Sequence, residues 1–170
     1  MVFLRRPGPR DCDEFLARVR DSRDLHRGWV EPLSEPEAFH AYVRRTRRRN
    51  CDGCVVCRNE DGAITGTINL NEIVHGSFQS AYLGYFSFAP FAGAGYMREG
   101  LELTLRRAFS ELGLHRLEAN IQPENGRSIA LARGLGFRHE GFSPRYVRVG
   151  DRWRDHERWA ITVEDWIHSS

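Results

Sequence analysis

A strand-like stretch, residues 80–88, runs into Gly93-Ala94-Gly95, and a long run of helical periodicity begins there. Met97, Leu101, Leu105, Ala108, Phe109 and Leu112 recur at helical spacing, and Gly113 closes the run. A strand that turns on two glycines into a helix leaves the first N–H groups of that helix without partners, at the positive end of its dipole. Such a junction suits a phosphate or pyrophosphate. Taken alone it is equally a tight loop with no ligand. It lacks the lysine and Ser/Thr of a Walker loop and the third glycine of a dinucleotide fingerprint.

The rest of the chain reads as a mixed α+β pattern without internal repeats or linkers, hence one domain over residues 1–170. Residues 2–5 form a short apolar start. Asp11 with Glu14 predicts a capping box for a helix that turns Phe15, Leu16 and Val19 inward. A loop carrying Trp29 follows, between His26 and Pro32. Ser34 with Glu37 predicts a second box, for a helix that buries Phe39, Tyr42 and Val43 and ends in the arginine run of residues 44–49. Strands are predicted at 54–58, 63–74 and 80–88, with turns at 59–62 and 75–77. After the long helix come a strand at 115–121, the loop Gln122-Pro123-Glu124-Asn125 and a short helix through Ile129 and Leu131. A hairpin of 137–149 with 153–163 closes the pattern.

With 41% hydrophobic and 28% charged residues in 170, the chain has the balance of a globular domain. No apolar run approaches the ~20 residues of a membrane helix. The N-terminus places its apolar residues before its charges, the wrong order for a signal peptide. A cytoplasmic protein with no membrane contact is expected. The net charge of +2 does not by itself point to nucleic acid. All the basic Lys/Arg positions are arginine. Cys51, Cys54 and Cys57 are spaced like metal ligands. However, Cys54-Val55-Val56-Cys57 reads as a strand, and residues three apart in a strand point to opposite faces. No metal site is expected.

Over nearly its whole length the chain resembles the GNAT acetyltransferase superfamily. Within it the closest resemblance is to the ribosomal-protein N-terminal acetyltransferases, the RimJ/RimL branch, on the RimJ side. The residues that carry it are Arg5, Trp29-Val30-Glu31-Pro32, His75-Gly76-Ser77-Phe78, Tyr82-Leu83-Gly84-Tyr85 and Gly93-Ala94-Gly95-Tyr96. They continue with His115-Arg116-Leu117-Glu118-Ala119-Asn120, Pro123-Glu124-Asn125, Ser128, Leu135-Gly136-Phe137 and Trp153-Arg154-Asp155-His156. The resemblance implies a mostly antiparallel sheet, flanked by helices and splayed between its fourth and fifth strands. Acetyl-CoA would lie in the gap, its pantetheine arm along the backbone of Phe86, Ser87 and Phe88. Its pyrophosphate would sit on the N–H groups of Gly93, Ala94, Gly95, Tyr96 and Met97. The sequence departs from the family pattern at Ala92, where Gln or Arg is usual, and at Met97, where Gly or Ala is usual. Ala132 stands where some relatives carry a tyrosine acid.

Acetyl transfer to an amine needs a neutral nucleophile, an N–H donor for the oxyanion and a hydrogen-bond donor for the departing thiolate. A peptide α-amine titrates near ~7.7–8.0 and a lysine amine near ~10.4, so an α-amine needs only a modest base. Asn125 would cap the short helix and bind pantetheine, and Ser128 would face the sulfur. Glu118 and Glu72 are rival carboxylates for orienting a water. Trp29, Tyr85 and Asn120 would line the acceptor cleft, although a tryptophan is as readily a core residue. The implied acceptor is the N-terminus of a protein, possibly a ribosomal one, with the chain a monomer or homodimer. Arg44, Arg45, Arg47, Arg48 and Arg49 would either contact ribosomal RNA or form a solvated helix end. Acetylation of a polyamine or antibiotic, a non-catalytic acetyl-CoA sensor and an arginine-rich ribosome-associated factor stand as alternatives.

Overall fold

In the computed structural model, which describes residues 1–169, the chain starts with β1 (Val2–Arg5). A 3-10 turn (Pro9–Asp11) leads to α1 (Cys12–Asp21), α2 (Arg23–His26) and α3 (Pro36–Arg45). Then come β2 (Cys51–Arg58), β3 (Ile64–Val74) and β4 (Ser80–Ser87), a second 3-10 turn (Ala89–Phe91) and α4 (Tyr96–Ser110). β5 (Arg116–Ile121), α5 (Gly126–Gly134), the hairpin β6 (Arg138–Val149) and β7 (Arg152–Thr162), and α6 (Val163–Ser169) complete it.

The strands make one seven-stranded sheet in the order β1-β2-β3-β4-β5-β7-β6. All neighbours are antiparallel except β4 and β5. Those two pair in parallel only at Ser80↔Arg116, Ala81↔Leu117 and Tyr82↔Glu118. Beyond Tyr82 and Glu118 they part, which gives the splayed mixed sheet that the resemblance implied.

Strand alternation supplies each face of the sheet with its own core. On one face Val56, Ile68, Leu70, Leu83, Leu117 and Ile161 meet Leu101, Leu105, Ala108 and Phe109 of α4 and Ala132 of α5. On the other, Val55, Cys57, Ile64 and Phe88 meet Phe15, Leu16 and Val19 of α1 and Phe39, Tyr42 and Val43 of α3. Cys54 and Cys57 accordingly sit on opposite faces. Gly100 lets α4 press onto the sheet, since a Cβ there would lie 3.1 Å from Val56 and Ile68.

Several local expectations are corrected. Asp11 does precede α1, but its carboxylate does not cap that helix: it takes the Arg5 guanidinium at 2.7 and 2.8 Å and, at 2.7 Å, the N–H of Gly8, the residue that caps the 3-10 turn Pro9–Asp11. Glu14 accepts from the Ile64 N–H at 2.9 Å instead of closing a box. The Ser34–Glu37 box does not form either; α3 starts at Pro36, with Glu35 at the cap position. It stops at Arg45, so the arginine run leaves the helix as a turn in which the buried Thr46 hydroxyl donates to the Val43 carbonyl. β2 starts at Cys51 rather than Cys54. The last strand stops at Thr162, because Asp165 accepts from its N–H and hydroxyl and opens α6. Among the described residues no helix is long and apolar enough to cross a membrane.

Candidate active site

The sheet opens where β4 and β5 diverge, and the Gly-rich loop sits at the C-terminal end of β4. Gly93 (φ +81°) and Gly95 (φ +87°) both adopt the left-handed conformation that only glycine takes without strain, and neither has a neighbour within 4 Å of a would-be Cβ. The N–H groups of Gly93, Gly95, Tyr96 and Met97 have no hydrogen-bond partner among the described residues, whereas that of Ala94 donates to Phe91 O at 3.3 Å. Ala94 therefore contributes space rather than a donor. The bulk of Met97 turns away from this concavity: its sulfur lies 2.6 Å from where a Cβ on Gly66 would be. The unusual methionine is thus accommodated by a glycine on β3. Open left-handed backbone, free donors and a helix N-terminus fit a pyrophosphate.

Along β4, Phe88 donates its N–H to Thr65 O at 2.8 Å. Alternation then turns Phe86 and Phe88 toward β3 and leaves the N–H and C=O of Ser87 on the open edge. Of the three residues assigned to pantetheine, Ser87 is the one whose main chain faces the gap. Its carbonyl accepts from His26 Nε2 at 2.8 Å. His26 is buried and packs edge-on against Phe86, with ring centroids 5.0 Å apart. Burial lowers its pKa, while the Ser87 carbonyl works the other way. On the opposite arm, the buried Gln122 side chain donates to the carbonyls of Gly28 and Trp29 at 2.9 and 3.3 Å. Residues 26–29 thereby bridge the two arms as a strap. Trp29, 37% exposed, lies on it rather than in a core.

Asn125 caps α5, its Oδ1 accepting from the Ser128 N–H at 3.1 Å. Ser128 is half-buried, and Tyr85 OH donates to its carbonyl at 3.4 Å. Burial pushes the Tyr85 hydroxyl up to about 12 against the opposing Ser128 contact, so it stays protonated at neutral pH. Tyr85 shares the face of α4 and α5 and stands beside Ser128, apart from Asn120.

Glu118 and Asn120 do share a face, and the register adds Tyr82, Arg158 and Ala160 to it. The Glu118 carboxylate is held by Arg116 at 2.9 Å, and the same guanidinium binds Glu140. Glu72 is exposed at a β3 bulge (φ +48°), toward the end where β4 and β5 still pair. No hydrogen bond links Glu72 to Glu118 among the described residues. Sequence reading gave no role to His26, Gln122 and Arg158. No local pattern marks them, because each finds its surroundings across the sheet.

Residues 2–138 match the profile of the Acetyltransferase (GNAT) domain. The ribosomal protein uS5-alanine N-acetyltransferase of Escherichia coli (strain K12) is 37% identical over 107 residues, 63% of this chain and 55% of that enzyme. The chain spans only 58% and 55% of the first curated relatives it matches. RimJ of Mycobacterium smegmatis, solved with CoA-disulfide, superposes with a TM-score of 0.87 at 29% identity, over 96% of this chain and 83% of that one. A Vibrio cholerae spermidine N-acetyltransferase with CoA and spermine shares the fold, with a TM-score of 0.83 at 20% identity and 98% coverage of both chains. With the family's domain matched over residues 2–138 and the sheet splayed between β4 and β5, the chain belongs to the GNAT acetyltransferases.

Proposed function

We propose that this chain is a cytoplasmic N-acetyltransferase that takes acetyl-CoA as donor and the N-terminal α-amine of a protein as acceptor. The observation that carries the reading is the free donor set of Gly93, Gly95, Tyr96 and Met97 at the mouth of the β4–β5 gap. Acetyl-CoA supplies the thioester carbonyl that an amine attacks. The chain's own part is modest. The Ser87 N–H, on the open edge of β4, is the donor placed for the developing oxyanion. Ser128, held by the Asn125 cap and the Tyr85 hydroxyl, hydrogen-bonds the departing sulfur. With Glu118 paired to Arg116, it serves better as a fixed acceptor than as a strong base, which a partly neutral α-amine tolerates.

A ribosomal acceptor is supported by the E. coli relative's name and by the arginine run. Arg44, Arg45, Arg47, Arg48 and Arg49 are exposed and enter no ion pair among the described residues. Three of them, with Arg6 and His75, line a cavity of about 250 Å³ beside Leu112, past the C-terminal end of α4. That is the far end of α4 from the phosphate loop, so the charge serves a partner such as ribosomal RNA, not the cofactor. A thiol-release assay with acetyl-CoA against N-terminal peptides, lysine peptides and polyamines tests the acceptor. Turnover with spermidine and none with any peptide would overturn it.

A further inference from the structure

On the acceptor face of β7, Arg154 and Arg158 are both half-buried, each with an Nε that is fully buried and has no hydrogen-bond partner among the described residues. Neither enters an ion pair there. Their neighbours behave otherwise: Arg116 holds Glu118 and Glu140, and Arg138 holds Glu140 and Asp165. The carboxylates flanking them in sequence are engaged elsewhere. Asp155 accepts from the Arg145 N–H at 2.7 Å, and Glu157, on the opposite face, accepts from Trp159 Nε1 at 2.9 Å. Arg158 lies directly across from Asn120 of β5, whose Oδ1 is also buried without a partner. The backbone makes room for Arg158: a Cβ on Gly141 of β6 would fall 2.6 Å from its Nη2, and Gly141 pairs with Arg158 in register.

Half-buried guanidinium groups without an anion or carbonyl are costly, and so is an unpaired amide oxygen. Asn120 and Arg158 are cross-strand partners on the face that the strap and Trp29 border, away from the phosphate loop; the Arg158 guanidinium lies over Gly141 of β6, and Arg154 stands two same-face positions further along β7. Together they form a set of donors next to an acceptor. A polyamine can satisfy only the acceptor, and its charges oppose the two arginines. A peptide N-terminus satisfies both, because its amine N–H groups lie within one residue of a carbonyl oxygen.

Resting on the acetyltransferase reading above, we infer that Asn120, Arg158 and Arg154 are the subsite that selects a peptide N-terminus: Asn120 Oδ1 accepts from the amine, and the arginines donate to the first carbonyl groups of the acceptor. The three touch substrate and set specificity; the acetyl transfer itself does not pass through them.

The test compares kcat/KM for an N-terminal peptide, an alkylamine of similar length and spermidine, in the wild-type protein and in Arg158→Met, Arg158→Lys and Arg154→Ala. The methionine keeps the packed stem of the arginine and removes its donors. The wild type is expected to favour the peptide over both simple amines. Arg158→Met should lose ~10–100-fold in peptide kcat/KM, the worth of one or two charge-assisted hydrogen bonds, through KM. Its KM for acetyl-CoA and its activity on the alkylamine should be unchanged, and Arg158→Lys should recover only part of the loss. If the wild type uses the peptide and the arginine variants match it, this subsite is refuted and the peptide reading stands. If the loss appears in the acetyl-CoA KM, the arginines serve the donor and the inference fails. A wild-type protein that prefers spermidine overturns the inference and the peptide reading together.

Discussion

Replacing Gly95 by aspartate should abolish acetyl-CoA binding while leaving the fold intact. The residue has φ +87°, so any L side chain there costs about 1–2 kcal/mol of backbone strain. No atom lies within 4 Å of the new Cβ, so no clash adds to that cost. A carboxylate at the positive end of α4 returns ~0.3–1 kcal/mol. The variant is therefore expected to fold with a slightly lower Tm. Its effect on the ligand is much larger. A unit negative charge ~4 Å from a phosphate charge repels it by roughly 4 kcal/mol at an effective dielectric of ~20, which weakens binding about 10³-fold. At a concentration a hundredfold above the wild-type Kd, acetyl-CoA adds ~2.7 kcal/mol to wild-type stability. For a domain of this size that raises Tm by roughly 5–10 °C. The same concentration should move the Gly95→Asp variant by less than ~1 °C. Thermal melts with and without acetyl-CoA read both numbers, and Gly95→Ala in the absence of ligand isolates the strain. A Gly95→Asp protein that melts cooperatively and keeps the full ligand shift would show that the pyrophosphate lies elsewhere.

On the proposed role of its hydroxyl at the departing sulfur, Ser128→Ala should lower kcat by up to ~10²–10³-fold with the acetyl-CoA Kd nearly unchanged; full turnover would make it a bystander. Asn125→Ala should instead raise that Kd and cost ~1 kcal/mol through loss of the α5 cap, read by titration and by denaturation. His26 has its folded pKa lowered by burial, so the folded state binds fewer protons than the unfolded one. Its contribution to stability is complete above the unfolded value of about 6.5 and declines as pH falls toward the folded value. His26→Gln can keep an amide donor for Ser87 O and should flatten that part of the stability-against-pH curve; an unchanged curve would assign the slope to other groups.

The long-range frame was legible from sequence because it rests on periodicity. The α4 stripe from Met97 to Leu112 and the alternation in β3, β5 and β7 need no knowledge of partners. The N-termini of α1 and α3 were not legible, since a capping box is only one use of an Asp–Glu or Ser–Glu spacing. Asp11 found Arg5 and Glu14 found the backbone of β3, both across the fold. α2 and α6 are too short for a helical period to show. At the site, the Gly93–Gly95 nest and the Asn125 cap are encoded by neighbours in sequence and could be placed in advance. His26, Gln122 and Arg158 could not, because Ser87, the Gly28 carbonyl and the Gly141 notch become their neighbours only once the register is set.

The strap of residues 26–29 is tied to β4 through His26 and to the end of β5 through Gln122. A molecule that widens the gap between those strands must therefore stretch a tether, and one that docks against Trp29 acts on the same segment. On the proposed reading, donor and acceptor then share a mechanical element in addition to the atoms that react, and each bias on its equilibrium is felt by the other. Thermodynamic reciprocity fixes the result: whatever factor the acceptor imposes on the affinity for acetyl-CoA, acetyl-CoA imposes on the affinity for the acceptor. Any such coupling between the two substrates runs through three hydrogen bonds to main-chain carbonyls, those of Ser87, Gly28 and Trp29.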